Sequence, residues 1–302
     1  MHHALTRITI GAGLIAGVSA VLLGDVAVDY WAARQVAPGF WILLVLSLLA
    51  GCWEFVRMLR DSGHPVRPVI AMVFVVLLLL SAWLEIHRAP DILPWLHMRG
   101  LELYLLLIVA LIFTTFVAEI ARVERADGDM GRAMAAVCWT TLVVLTVGLL
   151  GVFLAKVRFL STDPMEGLLY LVLTLGVVKG SDIGAYAIGS ALGRHPLVPR
   201  ISPRKTFEGL LGALAAGIAM ALAIGVGWGR FNWAAMLVFG AAVSTSSILG
   251  DLAESLIKRA CGAKDSGQIP GFGGALDILD SMLAAAPVAY LVLVVLTGPV
   301  RT

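Results

Sequence analysis

Residues 244–281 read STSSILGDLAESLIKRACGAKDSGQIPGFGGALDILDS, with one apolar segment running into the stretch and another running out of it. The stretch carries Asp251, Glu254, Asp265, Asp277 and Asp280 beside Lys258, Arg259 and Lys264, in a chain that is only 14% charged. Ser244, Ser247, Asp251, Glu254, Ser255 and Lys258 follow one another at steps that keep them on one side of a helix of 3.6 residues per turn. A glycine-rich break follows, and Asp277, Asp280 and Ser281 repeat the spacing where a last apolar helix begins, the end at which a helix favours carboxylates. Two acidic helix ends are therefore expected to meet.

Outward from this stretch the chain is apolar. Sixty per cent of its residues are hydrophobic and its mean hydropathy is +0.94, far from the composition of soluble domains. A helix needs about 20 apolar residues to cross a bilayer. The sequence accordingly predicts an all-α polytopic integral membrane protein with about nine transmembrane helices, near 8–28, 39–57, 67–86, 101–119, 132–155, 166–192, 207–227, 232–257 and 277–298. Residues 1–165 form an N-terminal group of about five spans, and 166–302 a C-terminal catalytic membrane region. Ile8 to Leu23 after Arg7 has the look of a signal peptide, but no small-residue cleavage site follows and further spans come next, so it counts as the first helix.

Cations gather in alternate connections: Arg57, Arg60 and Arg67; Arg122, Arg125 and Arg132; Arg194, Arg200, Arg204 and Lys205; Lys258, Arg259 and Lys264. By the positive-inside rule these connections, and with them the 244–281 stretch, face the cytoplasm. A net charge of +2 gives no reason to expect a nucleic-acid partner. Cys52, Cys138 and Cys261 have no paired spacing and the histidines do not cluster, which argues against a disulfide framework and a zinc site. Asp25, Asp29 and Glu54 fall near span ends, where water or headgroups are expected to solvate them, and Arg122 to Arg132 reads as a wet loop.

The character of the chain changes after Leu175. Lys179, Ser181 and Asp182 lie within a hydrophobic run, and a charge at the centre of a membrane helix costs about 2.5–3.5 kcal/mol, so these residues need partners. Gly180, Gly184, Ala185 and Gly189 offer a small-residue surface for close helix packing. Ser202 before Pro203 suits an N-cap and first helical residue, which would put Arg204, Lys205 and Thr206 in the first turn of the seventh helix. Cations oppose the helix dipole there, and a bound polyanion would account for them.

Carboxylates without a His or Cys cluster point to a hard cation, above all Mg²⁺, which binds through one or two carboxylates together with substrate phosphates. Asp251 and Asp277 come from different helices, as a clamp on one ion requires. With Lys179, Arg204, Lys205, Lys258 and Arg259 they suit a nucleoside triphosphate at the membrane surface, and hence phosphoryl or nucleotidyl transfer, a chemistry of positioning and charge neutralisation. Gly271, Gly273 and Gly274 would let backbone approach a phosphate closely.

Three ordered motifs then carry a family resemblance: Ser181-Asp182-x-Gly184-Ala185-Tyr186; Ser202-Pro203-x-Lys205-Thr206-x-Glu208-Gly209; and Ser255-Leu-Ile-Lys258-Arg259 followed by Lys264-Asp265-Ser-Gly267 and Pro270-Gly271-x-Gly273-Gly274-x-x-Asp277-x-x-Asp280. Together they resemble the signatures of CDP-diacylglycerol synthases, the phosphatidate cytidylyltransferases. The resemblance implies an all-helical, often dimeric membrane enzyme of the inner (cytoplasmic) membrane that makes CDP-diacylglycerol and pyrophosphate from CTP and phosphatidic acid with Mg²⁺. It implies Asp251 and Asp277 as metal ligands, the second aided by a monovalent cation such as K⁺, with Asp265 and Asp280 in support. Lys205, Lys258 and Arg259 would contact phosphates, and Ser202 and Thr206 would shape the nucleotide site. Lys264 joins the catalytic set by its place in the motif, and Ser181, Asp182, Glu208, Ser255, Gly273 and Gly274 join the substrate-binding set in the same way.

Phe272 stands where that pattern has His and Ile278 where it has Arg, and one residue is missing between Gly267 and Pro270. The alternatives are a CTP-dependent transferase acting on another lipid and a non-catalytic relative. A transporter would also bury charges, but it would show broken helices in both halves, whereas polar residues concentrate here in the second.

Overall fold

A computed structural model describes residues 2–87, 100–126, 129–263, 266 and 274–298. Among them are nine helices: α1 (His2–Ala32), α2 (Pro38–Asp61), α3 (Pro68–Ile86), α4 (Gly100–Ala126), α5 (Met130–Arg158), α6 (Pro164–Leu192), α7 (Phe207–Val226), α8 (Trp233–Ala260) and α9 (Ala275–Thr297). The eight from α2 onward contain segments long and apolar enough to cross a membrane. The protein is an all-α polytopic membrane protein, and the expected spans fall on these helices in order. The first turn of each helix has no intrahelical partner for its amides, and several caps match that need: Asp129, Asp163, Thr206 and Asn232 accept hydrogen bonds at the starts of α5, α6, α7 and α8.

Two pairings position the second half. Helices α6 and α7 approach until glycine faces glycine: a Cβ on Gly212 would meet Ile188 and lie 2.7 Å from the Gly184 carbonyl oxygen. Only a residue without a side chain fits such a contact. Helices α8 and α9 lie side by side, with Ser246 Oγ donating to the Ala284 carbonyl at 2.6 Å. Helix α9 also packs against α2 and α5, so the last helix is held from both halves of the chain. Helices α5 and α7 each contain a π-helical turn, at Val144–Leu149 and Leu222–Val226.

Between α6 and α7 the chain forms a two-stranded antiparallel hairpin, β1 (Pro196–Val198) and β2 (Ser202–Thr206). This corrects the reading of Ser202 and Pro203 as a helix start. Arg204 and Lys205 lie on a strand, and α7 begins at Phe207, where the Thr206 hydroxyl accepts from the Gly209 amide at 3.1 Å. Proline is tolerated here because a two-stranded hairpin consists only of edges.

Asp25 and Asp29 are also not solvated; they are 4% and 1% exposed. Asp25 accepts from the amides of Gly39 at 2.9 Å and Phe40 at 2.6 Å, and Asp29 from those of Val36 at 2.6 Å and Ala37 at 2.8 Å. These amides belong to the start of α2, which has no side-chain cap of its own. Helix α1 therefore supplies the missing acceptors, and the fully buried Arg158 pairs with Asp29 at 3.5 Å.

Replacing Asp25 with Ala leaves two α2 amides without acceptors, and a buried unsatisfied group costs about 1–3 kcal/mol. Asp25→Ala is expected to lower the melting temperature of the detergent-purified protein by several degrees, with Asp25→Asn falling between, in a thermal shift series followed by tryptophan emission.

Candidate active site

The polar side of α8 faces inward. Ser244 and Ser247 are buried, as is Glu254, while Asp251, Ser255 and Lys258 are half-buried. Lys258 Nζ lies 2.6 Å from Glu254 Oε2 one turn back and 2.8 Å from Asp277 Oδ1 on α9. A glutamate four residues ahead of a lysine is the favourable orientation for such a pair, and here the same ammonium bridges two helices.

The start of α9 is held by two carboxylates. Asp277 Oδ2 accepts from the Gly274 amide at 2.7 Å and the Ser266 amide at 3.1 Å. Glu54, on α2, accepts from the Leu276 amide at 2.9 Å and the Ser266 hydroxyl at 3.3 Å. A Cβ on Gly274 would collide with Glu54 and Ser266, so glycine is what lets Glu54 reach these amides. Neither the length of α2 nor its pattern marks Glu54 out. Its one signal is that it is an acid near a span end, and that signal it shares with Asp25 and Asp29.

One turn further along α9, Asp280 comes up beside Asp251 and Glu254, with one oxygen from each of the three within 4.8 Å of the others. Lys258 touches Glu254, and Lys205 Nζ on β2 lies 2.7 Å from Asp251 Oδ2. Among the described residues Asp280 has no ion-pair partner; its carboxylate accepts from the amide and hydroxyl of Ser281. Three hard oxygen donors so close, one of them lacking a cation, form a donor set suited to Mg²⁺. Asp277 lies outside this trio, its carboxylate taken by Lys258 and two amides. Glu254, seen in the sequence only as part of the polar stripe, lies within it.

Of these groups Asp251, Asp277, Asp280, Lys205 and Lys258 line a cavity of about 800 Å³ between α6, α7, α8, α9 and β2, whereas the buried Glu254 does not. Of the residues expected from sequence, Ser181, Asp182, Arg204, Lys205, Thr206, Asp251, Lys258, Asp277 and Asp280 line it. Tyr186, Leu197, Leu210, Ala213 and Ile248 line it too, so charged and apolar surfaces share one cavity. Lys179 pairs with Asp182 at 3.1 Å, and Ser255 donates to Asp251 at 3.5 Å.

Other expected site residues brace the cavity instead of lining it. Glu208 accepts from the amides of Arg194 at 3.1 Å and His195 at 3.3 Å and pairs with the His195 ring at 2.6 Å, closing the base of the hairpin. Arg259 Nε donates to the Ile201 carbonyl at 3.1 Å and so ties the hairpin turn to the end of α8. Ser202 lies on β2, and Gly274 is the residue before α9. Lys264, Asp265 and Gly273 lie outside the described residues. Beyond α8, burial raises the Cys261 thiol above its ordinary range, so it stays protonated and a poor nucleophile.

The model of the cytidylyltransferase family matches residues 6–296. The chain is 31% identical over 265 residues to a phosphatidate cytidylyltransferase of Mycobacterium bovis, spanning 86% of this chain and 82% of that one. Proteins of the same name from Haemophilus influenzae and Brucella suis biovar 1 are 38% and 41% identical over 143 residues, 45% of this chain and 50% and 51% of theirs. Fold and site define a membrane-embedded enzyme of the nucleotidyltransferase class. The chain belongs to the cytidylyltransferase family.

Glu54→Gln keeps the shape but removes the charge from the cap at the start of α9. A hydrogen bond to a charged group contributes about 1.5–3 kcal/mol. The variant is therefore expected to lose cytidylyltransferase turnover while still eluting as an intact membrane protein, as measured by size-exclusion chromatography and activity on one preparation.

Proposed function

We propose that this protein transfers the cytidylyl group of CTP to phosphatidic acid, giving CDP-diacylglycerol and pyrophosphate, in the cytoplasmic membrane with its site toward the cytoplasm. An anionic oxygen of the lipid phosphate attacks the α-phosphorus of CTP. The bond from that phosphorus to the bridging oxygen breaks, and its electron pair leaves with pyrophosphate. The single observation that carries the reading is the Asp251, Glu254 and Asp280 cluster paired to Lys205 and Lys258, with Asp251 and Asp280 lining a cavity that also has apolar walls. The names of the relatives support the same acceptor, and the cation-rich connections on this face support the orientation. The motif resemblance supports a homodimer and a monovalent cation near Asp277.

Asp251, Glu254 and Asp280 would hold Mg²⁺, with Asp277 fixing Lys258 beside them. The ion would supply neutralisation of phosphate charge and orientation of the triphosphate. Lys205, Lys258 and Arg204 would bind phosphate oxygens, and the lysines would exchange their carboxylate partners for substrate as it arrives. Leu210, Ala213 and Ile248 would receive the glycerolipid end and keep water from the reacting phosphorus. The nucleophile is already an anion, so the protein has no need of a general base, in keeping with a cavity that no histidine lines among the described residues. Catalysis is then positioning and charge balance.

Radiolabelled CTP incubated with the purified protein, Mg²⁺ and phosphatidic acid should yield a labelled liponucleotide and one pyrophosphate per turnover, both abolished by EDTA. A labelled product only with a different phosphorylated lipid would replace phosphatidic acid as acceptor; no liponucleotide with any lipid would end the proposal. Asp251→Asn and Asp280→Asn should each lower kcat at least about a hundredfold, a barrier increase of about 2.7 kcal/mol. If Asp251→Asn turns over normally, the assignment of the metal cluster fails.

A further inference from the structure

A second cavity, of about 410 Å³, lies on the same face, where the connection from α2 to α3 meets the end of α4 and the start of α5. Its lining is Arg60, Gly63, His64, Pro65, Val66, Arg67, Pro68, Arg122 and Arg132, and it shares no residue with the catalytic cavity. Four arginines thus line one space. Topology alone asks only that cations sit on the cytoplasmic side of the membrane; it does not ask that arginines from two connections converge.

The local balance of charge is one-sided. Glu119, 2% exposed, holds Arg67 and Arg122 in place by an ion pair to each, that to Arg122 being 2.9 Å long. Among the described residues, Arg60 and Arg132 have no ion pair and no carboxylate lines the space. Two other acids of these connections are engaged elsewhere, Asp61 with Arg57 and Asp129 with the Gly131 amide. Helix α3 also begins here, with Pro68 at its start and Arg67 as an N-cap that makes no side-chain cap bond. A cation at that position opposes the helix dipole, while the free amides of the first turn suit an anion. His64 packs against Trp139 in a tilted arrangement with ring centroids 5.0 Å apart, which fixes this side of the pocket.

We propose that this pocket binds a phosphate-bearing anion at a site separate from nucleotidyl transfer. Arginine is the residue suited to it, because its planar fork binds phosphate oxygens in pairs. The pocket is positioned to matter for catalysis: Ser62, in the same connection, donates to the Cys261 carbonyl at 2.8 Å, just past Lys258 and Arg259 at the end of α8. An anion bridging Arg60 and Arg132 would brace the α2–α3 connection, and through Ser62 the segment that carries the catalytic lysine. The phosphate could belong to an anionic phospholipid of the inner leaflet or be free in solution.

The test uses the whole protein in nanodiscs. One arm measures retention of phosphatidylglycerol against phosphatidylcholine by native mass spectrometry, and the other measures binding of radiolabelled inorganic phosphate by equilibrium dialysis. Arg60→Gln/Arg132→Gln leaves the Glu119 pairs intact and is expected to weaken anion binding about five- to tenfold, with an unchanged melting temperature in phosphatidylcholine. Arg60→Lys/Arg132→Lys should recover part of it. Loss in the lipid arm identifies a headgroup as the ligand, and loss in the dialysis arm identifies free phosphate; either supports the site. Equal binding by wild type and the double variant in both arms, or no binding by wild type in either, overturns it. If the double variant does not fold, the exposed single change Arg132→Gln decides in the same two assays.

Discussion

The ammonium of Lys258 sits between a carboxylate on its own helix and one on the next, at 2.6 Å from Glu254 and 2.8 Å from Asp277. The remainder of the site depends on that bridge. Carboxylates close together repel, and a partly buried one is costly unless paired. Lys258 makes it possible for α8 and α9 to bring their acids together at all, and Lys205 does the same for Asp251 from the hairpin. The arrangement stops short of full neutralisation, since Asp280 is left without a cation among the described residues. A polar site that is nearly but not wholly balanced is one that a divalent ion and a triphosphate can complete.

The first half of the chain is more than a membrane anchor. Helix α2 sends Glu54 to the start of α9, and its own start is held by Asp25 and Asp29 of α1. At both ends of α2, then, a carboxylate from one helix accepts from the unpaired amides of another, the solution favoured at helix N-termini. The hairpin follows the same economy. Glu208 closes its base and Arg259 ties its turn, so the strand that presents Arg204 and Lys205 is fixed from two sides.

Much of this was legible in the sequence, for physical reasons. A helix repeats every 3.6 residues, so Asp251, Glu254 and Lys258 announce a common face, and apolar length alone locates the spans. The small residues of α6 were legible as a packing surface because a close helix crossing needs them. What escaped was tertiary. Ser-Pro is a good helix start in isolation, yet the helix begins four residues after Pro203 because Thr206 caps the Gly209 amide and the preceding residues pair as strands. Asp25, Asp29 and Glu54 look alike in sequence, acids near span ends; what distinguishes them from solvated acids is the set of amides they face, which only the packed helices bring near. Asp277 was legible as a site acid, but its engagement by Lys258, Ser266 and Gly274 was not.

The bond from Glu54 to the Leu276 amide joins residues 222 positions apart. During synthesis α2 enters the bilayer long before α9 exists, so Glu54 must wait, charged and without its partner, while six further helices are threaded. The translocation machinery would therefore deliver an incomplete bundle with an acid held near its surface, and closure of the site would be among the last events of biogenesis. Truncation before α9 would strand that acid, giving quality-control proteases a distinct mark of an unfinished chain.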